Sequence, residues 1–198
     1  MRVVLATRNP GKIEELRRIL SGLEVVGLAE YPGAPDVAET ELTFAGNALL
    51  KARAIAAHTG QTAVADDSGL CVDALNGMPG VFSARWAGRH GDDEANLELL
   101  LGQLADVPAA LRGAHFACAA AVTLPDGAER VAMGRIDGRV IDTPRGTGGF
   151  GYDPIFVPDG ESRTTAEMPA ADKDAISHRG RAFRALAKIL PEVTGWPR

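Results

Sequence analysis

Apolar residues along this chain fall into two alternating rhythms, short β-branched runs and stretches with helical spacing. Arg2 to Ala6 is a short apolar run of the kind that forms a buried strand in an α/β sheet. Asn9 then suits an N-cap and Pro10 a first helical residue, and Ile13, Leu16, Ile19 and Leu20 recur at helical spacing. Glu24 to Leu28 predicts a second strand, and Tyr31 to Thr40, with Pro32, Gly33 and Pro35, a loop. Thr43 caps a helix expected to reach about His58, with Phe44, Ala48, Ala52 and Ile55 on its apolar side. The run Ala63-Val64-Ala65 predicts a strand that ends abruptly at Asp66-Asp67-Ser68-Gly69, and Leu70 to Leu75 a further strand before the turn signal Asn76-Gly77-Met78-Pro79-Gly80.

Farther on, Gly91-Asp92-Asp93-Glu94 starts a helix whose buried stripe is Leu97, Leu100, Leu101 and Leu104, with a structural role only. Ala114 to Leu124 and Glu129 to Val140 flank Pro125-Asp126-Gly127-Ala128 as a hairpin, and a closing helix buries Phe183, Leu186, Ala187 and Leu190. Parallel βαβ units followed by an antiparallel hairpin imply an α/β fold with a mixed β-sheet flanked by helices.

Composition narrows the class. The 198 residues suffice for one sizeable core, read as a single domain over 1–198. With 45% hydrophobic and 24% charged residues the balance is globular. The longest apolar runs fall short of the roughly 18 residues of a spanning helix, so no membrane is expected. Met1 to Ala6 is too short for a secretory h-region, so no signal peptide is expected. Cys71 and Cys118 lack metal-ligand spacing and read as buried thiols of a cytoplasmic protein. A net charge of −5 without a basic run argues against a nucleic-acid polymer as partner, since such affinity comes largely from neutralising many phosphates. An anionic small molecule remains, and it needs positive charge gathered at one place. Of 21 basic residues only four are lysine, Lys12, Lys51, Lys173 and Lys188, in a chain otherwise using arginine. Lysine then marks places where a compact ammonium does what a planar guanidinium does not.

Four stretches bear chemistry. Thr7-Arg8-Asn9-Pro10-Gly11-Lys12 joins a strand to a helix N-terminus, an arrangement that presents N–H groups to an anion, but it lacks P-loop spacing and also reads as a plain capped helix. Asp66-Asp67 places two acids side by side, costly unless a cation compensates; Mg²⁺ would, and a strand-ending turn is the bland alternative. Thr43, Asn47 and Lys51 share a polar stripe that a parallel βαβ unit could bring near those acids; otherwise it is a solvated face. Gly146 to Pro154 is glycine-rich with Phe150 as a platform for stacking a base, or a connector with a packed phenylalanine.

Together, Thr7-x-Asn9-x-x-Lys12, Glu39 ahead of Thr43-Phe44-x-x-Asn47-Ala48-x-x-Lys51-Ala52, Asp66-Asp67-Ser68-Gly69, Phe150-Gly151-Tyr152-Asp153 and Ser177-His178-Arg179-Gly180 resemble the inosine/xanthosine triphosphate pyrophosphatases over essentially the whole chain. The resemblance implies two lobes around a central nucleotide-binding cleft and a homodimer. It also implies Mg²⁺-dependent hydrolysis of ITP, dITP or XTP at the α–β phosphoanhydride to the monophosphate and pyrophosphate. By the same resemblance Thr7, Arg8, Asn9, Pro10, Gly11, Lys12 and Lys51 contact the triphosphate. Glu39 and Asp67 bind the metal, Asp67 is also the general base, and Ser68 touches substrate. Phe150, Gly151, Tyr152 and Asp153 form the base and sugar pocket, and Lys173, His178 and Arg179 read the purine; Arg85 is a weaker match, to a phosphate contact. Donors from Arg179 or His178 would bond the 6-oxo group of hypoxanthine or xanthine and oppose the amino group of adenine. Glu41 stands where the family usually has glycine, and Gly46 where an acid often precedes Asn47-Ala48, so Glu41 could assist or perturb the metal site.

Overall fold

The computed structural model of the chain describes residues 2–8, 10–20 and 22–194, with the backbone alone for Pro10, Gly11, Glu15 and 192–194. Its strands are β1 (Arg2–Leu5), β2 (Glu24–Gly27), β3 (Ala63–Val72), β4 (Met78–Pro79), β5 (Gly113–Thr123), β6 (Glu129–Val140) and β7 (Phe156–Pro158). The helices are α1 (Pro10–Ile19), α2 (Phe44–Thr59), α3 (Asp93–Gln103), α4 (Ala170–Ile176) and α5 (His178–Thr194). Hydrogen bonding links the strands in the order β2-β1-β3-β5-β6-β7, with β4 on β3. The pairs β1–β2 and β1–β3 are parallel, β3–β4 and β6–β7 antiparallel, so the sheet is mixed as the patterning predicts. None of the described helices is long and apolar enough to cross a membrane.

Two compact units emerge, neither a continuous run of sequence: 1–67, 118–134 and 178–198 form one, and 68–117 with 135–177 the other. In the first, Leu16 and Leu20 of the α1 segment and Phe183 and Leu186 of α5 pack on Val3, Leu5 and Val64, the inward positions of β1 and β3. Small residues, Ala48 and Ala52 against Ala65, Ala119 and Ala121, let α2 lie close on the sheet. Thr43 caps α2, its hydroxyl accepting from the Gly46 amide, and Gly60 ends it at φ 64°. In the second unit, Leu100 and Leu104 of the α3 segment pack with Leu70, Val72 and Ile155, and Phe116 meets Phe156 edge to face, 4.8 Å between centroids. Asp92 caps α3 by accepting from the Ala95 amide.

One strand departs from the sequence reading. The acids do not end a strand on a turn: β3 runs unbroken from Ala63 through Asp66, Asp67 and Gly69 to Val72, and the turn comes only at Asp73–Leu75. A strand tolerates two adjacent acids because successive side chains point to opposite faces, so each carboxylate meets its own set of partners. Gly69 is there for space: a Cβ would lie 2.3 Å from the Gly80 carbonyl oxygen and 2.4 Å from Ser83 Oγ. The Ser83 hydroxyl accepts from the Leu70 amide and donates to the Gly80 carbonyl, tying the short helical turn Gly80–Arg85 to β3.

Candidate active site

Asp66 faces α1 and α5. Lys12, in the first turn of α1, sets Nζ 3.4 and 3.3 Å from its two oxygens, and Arg179 of α5 donates Nε to Oδ2 at 3.3 Å. Burial disfavours the charge of Asp66, yet Lys12, Arg179 and Lys51 outweigh it and hold the carboxyl well below the usual range. Asp66 therefore stays ionised as a structural counter-ion, and Arg179, only 5% exposed, is anchored on it. Cys118 is buried beside this group, and burial together with the Asp66 charge pushes its thiol far up, so it behaves as packing.

Asp67 faces α2. Asn47 donates Nδ2 to its Oδ2 at 3.0 Å, while Lys51 holds Nζ 3.8 Å from its Oδ1 and 2.6 Å from Glu39 Oε1. The stripe Thr43-Asn47-Lys51 is thus no solvated face: Asn47 is completely buried, one turn of α2 before Lys51. Burial raises Asp67 above the usual carboxylate range; Lys51 and Asn47 oppose this, the negative charges of Glu39 and Asp66 reinforce it, and the result is about 6. For Lys51 burial favours the neutral amine, but Asp67, Asp66 and Glu39 reverse this and raise its pKa.

Asn47 also explains the loop before α2. Its Oδ1 accepts from the Glu41 amide at 2.9 Å, so one buried side chain fixes the segment following Glu39 and orients Asp67. The two family departures are linked here: a Cβ on Gly46 would lie 2.7 Å from Glu41 Cβ and 2.9 Å from its Cγ. Glu41 occupies the room that a side chain at 46 would need. Its carboxyl is exposed and acts on Arg53, whereas Glu39 shares Lys51 with Asp67. Asn47 is the residue that sequence reasoning left out of the site, and its helical phase with Lys51 was the available signal.

The glycine-rich loop belongs to the second unit. Phe150 is 54% exposed, with Lys173 Nζ 5.3 Å from its ring centroid. Asp153 is buried and organises the loop: it accepts from the Phe150 amide at 2.8 Å, from the Thr165 hydroxyl at 2.8 Å and from the Lys173 ammonium. A Cβ on Gly149, at φ +73°, would fall 2.1 Å from Asp153 Oδ2, so only glycine lets the loop close on that carboxylate. Tyr152 points into the core and donates its hydroxyl to the Ser83 carbonyl at 2.9 Å. Gly151 donates its amide to Asp93 Oδ2 at 2.8 Å, so the start of α3, expected to be structural only, holds this loop.

Of the other expected substrate contacts, Asn9 lies outside the described residues, and Pro10 and Gly11 open α1. Thr7 accepts at its carbonyl from the Leu28 amide. Arg8 pairs with Asp36 and donates to the Ala34 carbonyl at 2.8 Å, which ties it to the Tyr31–Thr40 loop. Ser68 is half-buried in β3, on the face of Asp66 by alternation, and His178 opens α5, also half-buried. Arg85 lies 5.4 Å over the Phe82 ring, and Trp86 donates Nε1 to Gln103 Oε1 at 2.8 Å.

A divalent cation suits the Asp67 side. Among the described residues no three His, Cys, Asp or Glu side chains gather as a complete metal site. What the chain offers is two carboxylates, Glu39 and Asp67, converging on one ammonium, with burial holding the Asp67 carboxyl above its usual range. Mg²⁺ needs no more, since it takes one or two carboxylates and completes its shell with water and phosphate oxygens.

Residues 3–189 match the Ham1 family. A dITP/XTP pyrophosphatase of Streptomyces coelicolor is 64% identical over 198 residues, covering 98% of this chain and 99% of the relative. The crystal structure of the nucleoside-triphosphatase / dITP/XTP pyrophosphatase of Mycobacterium abscessus superposes with a TM-score of 0.79 at 56% identity, covering 96% of this chain and all of that one. The Staphylococcus aureus Ham1 protein superposes with a TM-score of 0.88 at 40% identity, covering 98% of this chain and all of the other. The chain belongs to the Ham1 family, the inosine/xanthosine triphosphate pyrophosphatases that its five motifs resemble.

Proposed function

We propose that this protein hydrolyses the deaminated purine nucleoside triphosphates ITP, dITP and XTP to the monophosphate and pyrophosphate, cleansing the nucleotide pool, as a Mg²⁺-dependent cytoplasmic homodimer. The observation that carries the reading is the buried Asp67 carboxylate, raised to about 6 and held between Asn47 and a lysine it shares with Glu39. A binding module for nucleotides would need the cations and Phe150 but no such acid.

In the reaction a water attacks the α-phosphorus, the α–β bond breaks, pyrophosphate leaves and the water's proton passes to a base. Asp67 is that base, its carboxylate oriented by the bond that Asn47 donates to Oδ2. A Mg²⁺ on Glu39 and Asp67 would neutralise charge on the phosphates and orient them. Lys12, held by Asp66 at the start of α1, and Lys51 supply the remaining positive charge to the triphosphate, with Thr7 to Gly11 and Ser68 around it. Phe150 offers a ring face for the purine, in a loop that Asp153 and Lys173 hold in shape.

Selectivity follows from donors. His178 and Arg179 meet an acceptor oxygen at position 6 of hypoxanthine or xanthine and a donor amino group in adenine, and an unmatched buried donor is expensive. The reading is tested by steady-state kinetics on ITP against ATP with Asp67→Asn beside the wild type. Wild-type pyrophosphate release from ITP with negligible release from ATP, and loss of turnover by orders of magnitude in a folded Asp67→Asn, is the expected result. An active Asp67→Asn enzyme removes the proposed base.

A further inference from the structure

Lys51 stands where the metal reading wants a cation. Its ammonium is 2.6 Å from Glu39 Oε1 and 3.8 Å from Asp67 Oδ1, and the Lys51, Glu39 and Asp67 side chains are 16%, 19% and 9% exposed. Asn47 engages the other oxygen, Oδ2, of Asp67, so Oδ1 is the atom that Lys51 and an arriving cation would both seek. We propose that Lys51 is the resident counter-ion of Glu39 and Asp67, displaced by the divalent cation onto a nucleotide phosphate, so that metal and nucleotide binding are coupled through one ammonium. The proposal rests on the metal-dependent reading of this site.

Charge and geometry both support an exchange. A dication entering with Lys51 still seated would set three positive charges against two carboxylates in a partly buried site, where like charges repel far more strongly than in water. Mg²⁺ approaches carboxylate oxygens to about 2.0–2.1 Å, which requires the Glu39 Oε1 that the ammonium now bonds at 2.6 Å and the space beside Asp67 Oδ1, where the ammonium stands 3.8 Å away. A triphosphate gives the displaced ammonium an equally good anionic partner. The exchange suits lysine, a compact charge on a flexible four-carbon stem, better than arginine, whose planar fork is fixed by the groups it bonds. Only four of the 21 basic residues are lysine, and this is one of them. Asn47 keeps Asp67 in position whichever cation occupies Oδ1, because its bond is to the other oxygen.

The test is Mn²⁺ binding followed by electron paramagnetic resonance, with Mn²⁺ standing in for the divalent cation. Wild type, Lys51→Met, Lys51→Gln and Lys51→Arg are titrated without nucleotide and with α,β-methylene-dITP, which cannot be cleaved at the α–β position. Without nucleotide, Lys51→Met and Lys51→Gln should bind Mn²⁺ at least about fivefold more tightly than wild type, the lower end of ordinary site coupling. Lys51→Arg should gain nothing. In the two neutral variants the analogue should strengthen Mn²⁺ binding less than it does in wild type. If both neutral variants fold by circular dichroism but bind Mn²⁺ no more tightly than wild type, Lys51 does not compete with the metal. If wild type shows no protein-bound Mn²⁺ even with the analogue, the metal-dependent reading itself fails, a separate outcome.

Discussion

Asp66 and Asp67 are adjacent in sequence and opposite in surroundings. Asp66 is held ionised by Lys12 and Arg179, Asp67 is pushed toward neutrality by burial, and strand alternation separates the two sets of partners. Opposite stability consequences follow. Asp66 has a folded pKa below its unfolded value near 3.9, so its contribution is fully present above about pH 4 and is lost as pH falls further. The thermal stability of the wild type should therefore fall as the pH drops below about 4. Asp66→Asn should flatten that acid limb, while costing about 3 kcal/mol at neutral pH because the buried Arg179 and the partly exposed Lys12 lose a carboxylate partner. Asp67 has a folded pKa raised to about 6, so in the metal-free protein its ionisation costs stability as pH rises from about 4 through 6. Asp67→Asn should then be more stable than wild type at pH 7–8 without metal, by on the order of 1–3 kcal/mol in denaturant unfolding, while losing turnover. A variant no more stable than wild type there would deny the strain on Asp67. The same proton competes with the metal, so Mn²⁺ affinity should decline as pH falls through about 6, as calorimetric titration would show. Lys12→Arg should raise KM for ITP even though the charge is kept, because Lys12 Nζ bonds both oxygens of Asp66 as a compact group; an unchanged KM would count against that geometry.

At the scale of elements, what the sequence made legible was local. The Thr43 cap of α2, the 113–140 hairpin and the leucine stripe of α3 are fixed by chemistry within a few residues, and each appears as patterning predicts. The path of β3 was not legible, because Asp-Asp-Ser-Gly is turn chemistry locally and becomes strand only when Lys12, Arg179, Asn47 and Lys51 arrive from distant segments. Tyr152 was opaque for a similar reason: the motif names it, but its hydroxyl bonds Ser83, 69 residues away, from inside the core. Two substitutions test element geometry. Thr43→Ala should cost about 1 kcal/mol through the lost cap of α2, read from denaturant unfolding. Gly69→Ala should cost about 1–3 kcal/mol, since its Cβ would meet the Gly80 carbonyl and Ser83 at less than 2.5 Å; near-wild-type stability would mean that the turn gives way easily.

For the whole molecule, the parts divide by unit. The residues around Asp66 and Asp67 lie in the first unit with the helices that neutralise them, and Phe150, Asp153 and Lys173 lie in the second. A chain of net charge −5 that binds a polyanion must concentrate its positive charge, and Lys12, Lys51 and Arg179 do so around two buried acids. The central claim is that this charge serves α–β cleavage of the deaminated purine triphosphates. Its most direct test is direct-product analysis of ITP, XTP, GTP and ATP hydrolysis with and without Mg²⁺. The expected result is pyrophosphate, not orthophosphate, released from ITP and XTP, dependent on Mg²⁺, with ATP hydrolysed far more slowly. Orthophosphate as the direct product would contradict α–β cleavage, and equal rates on ATP and ITP would contradict the selectivity assigned to His178 and Arg179.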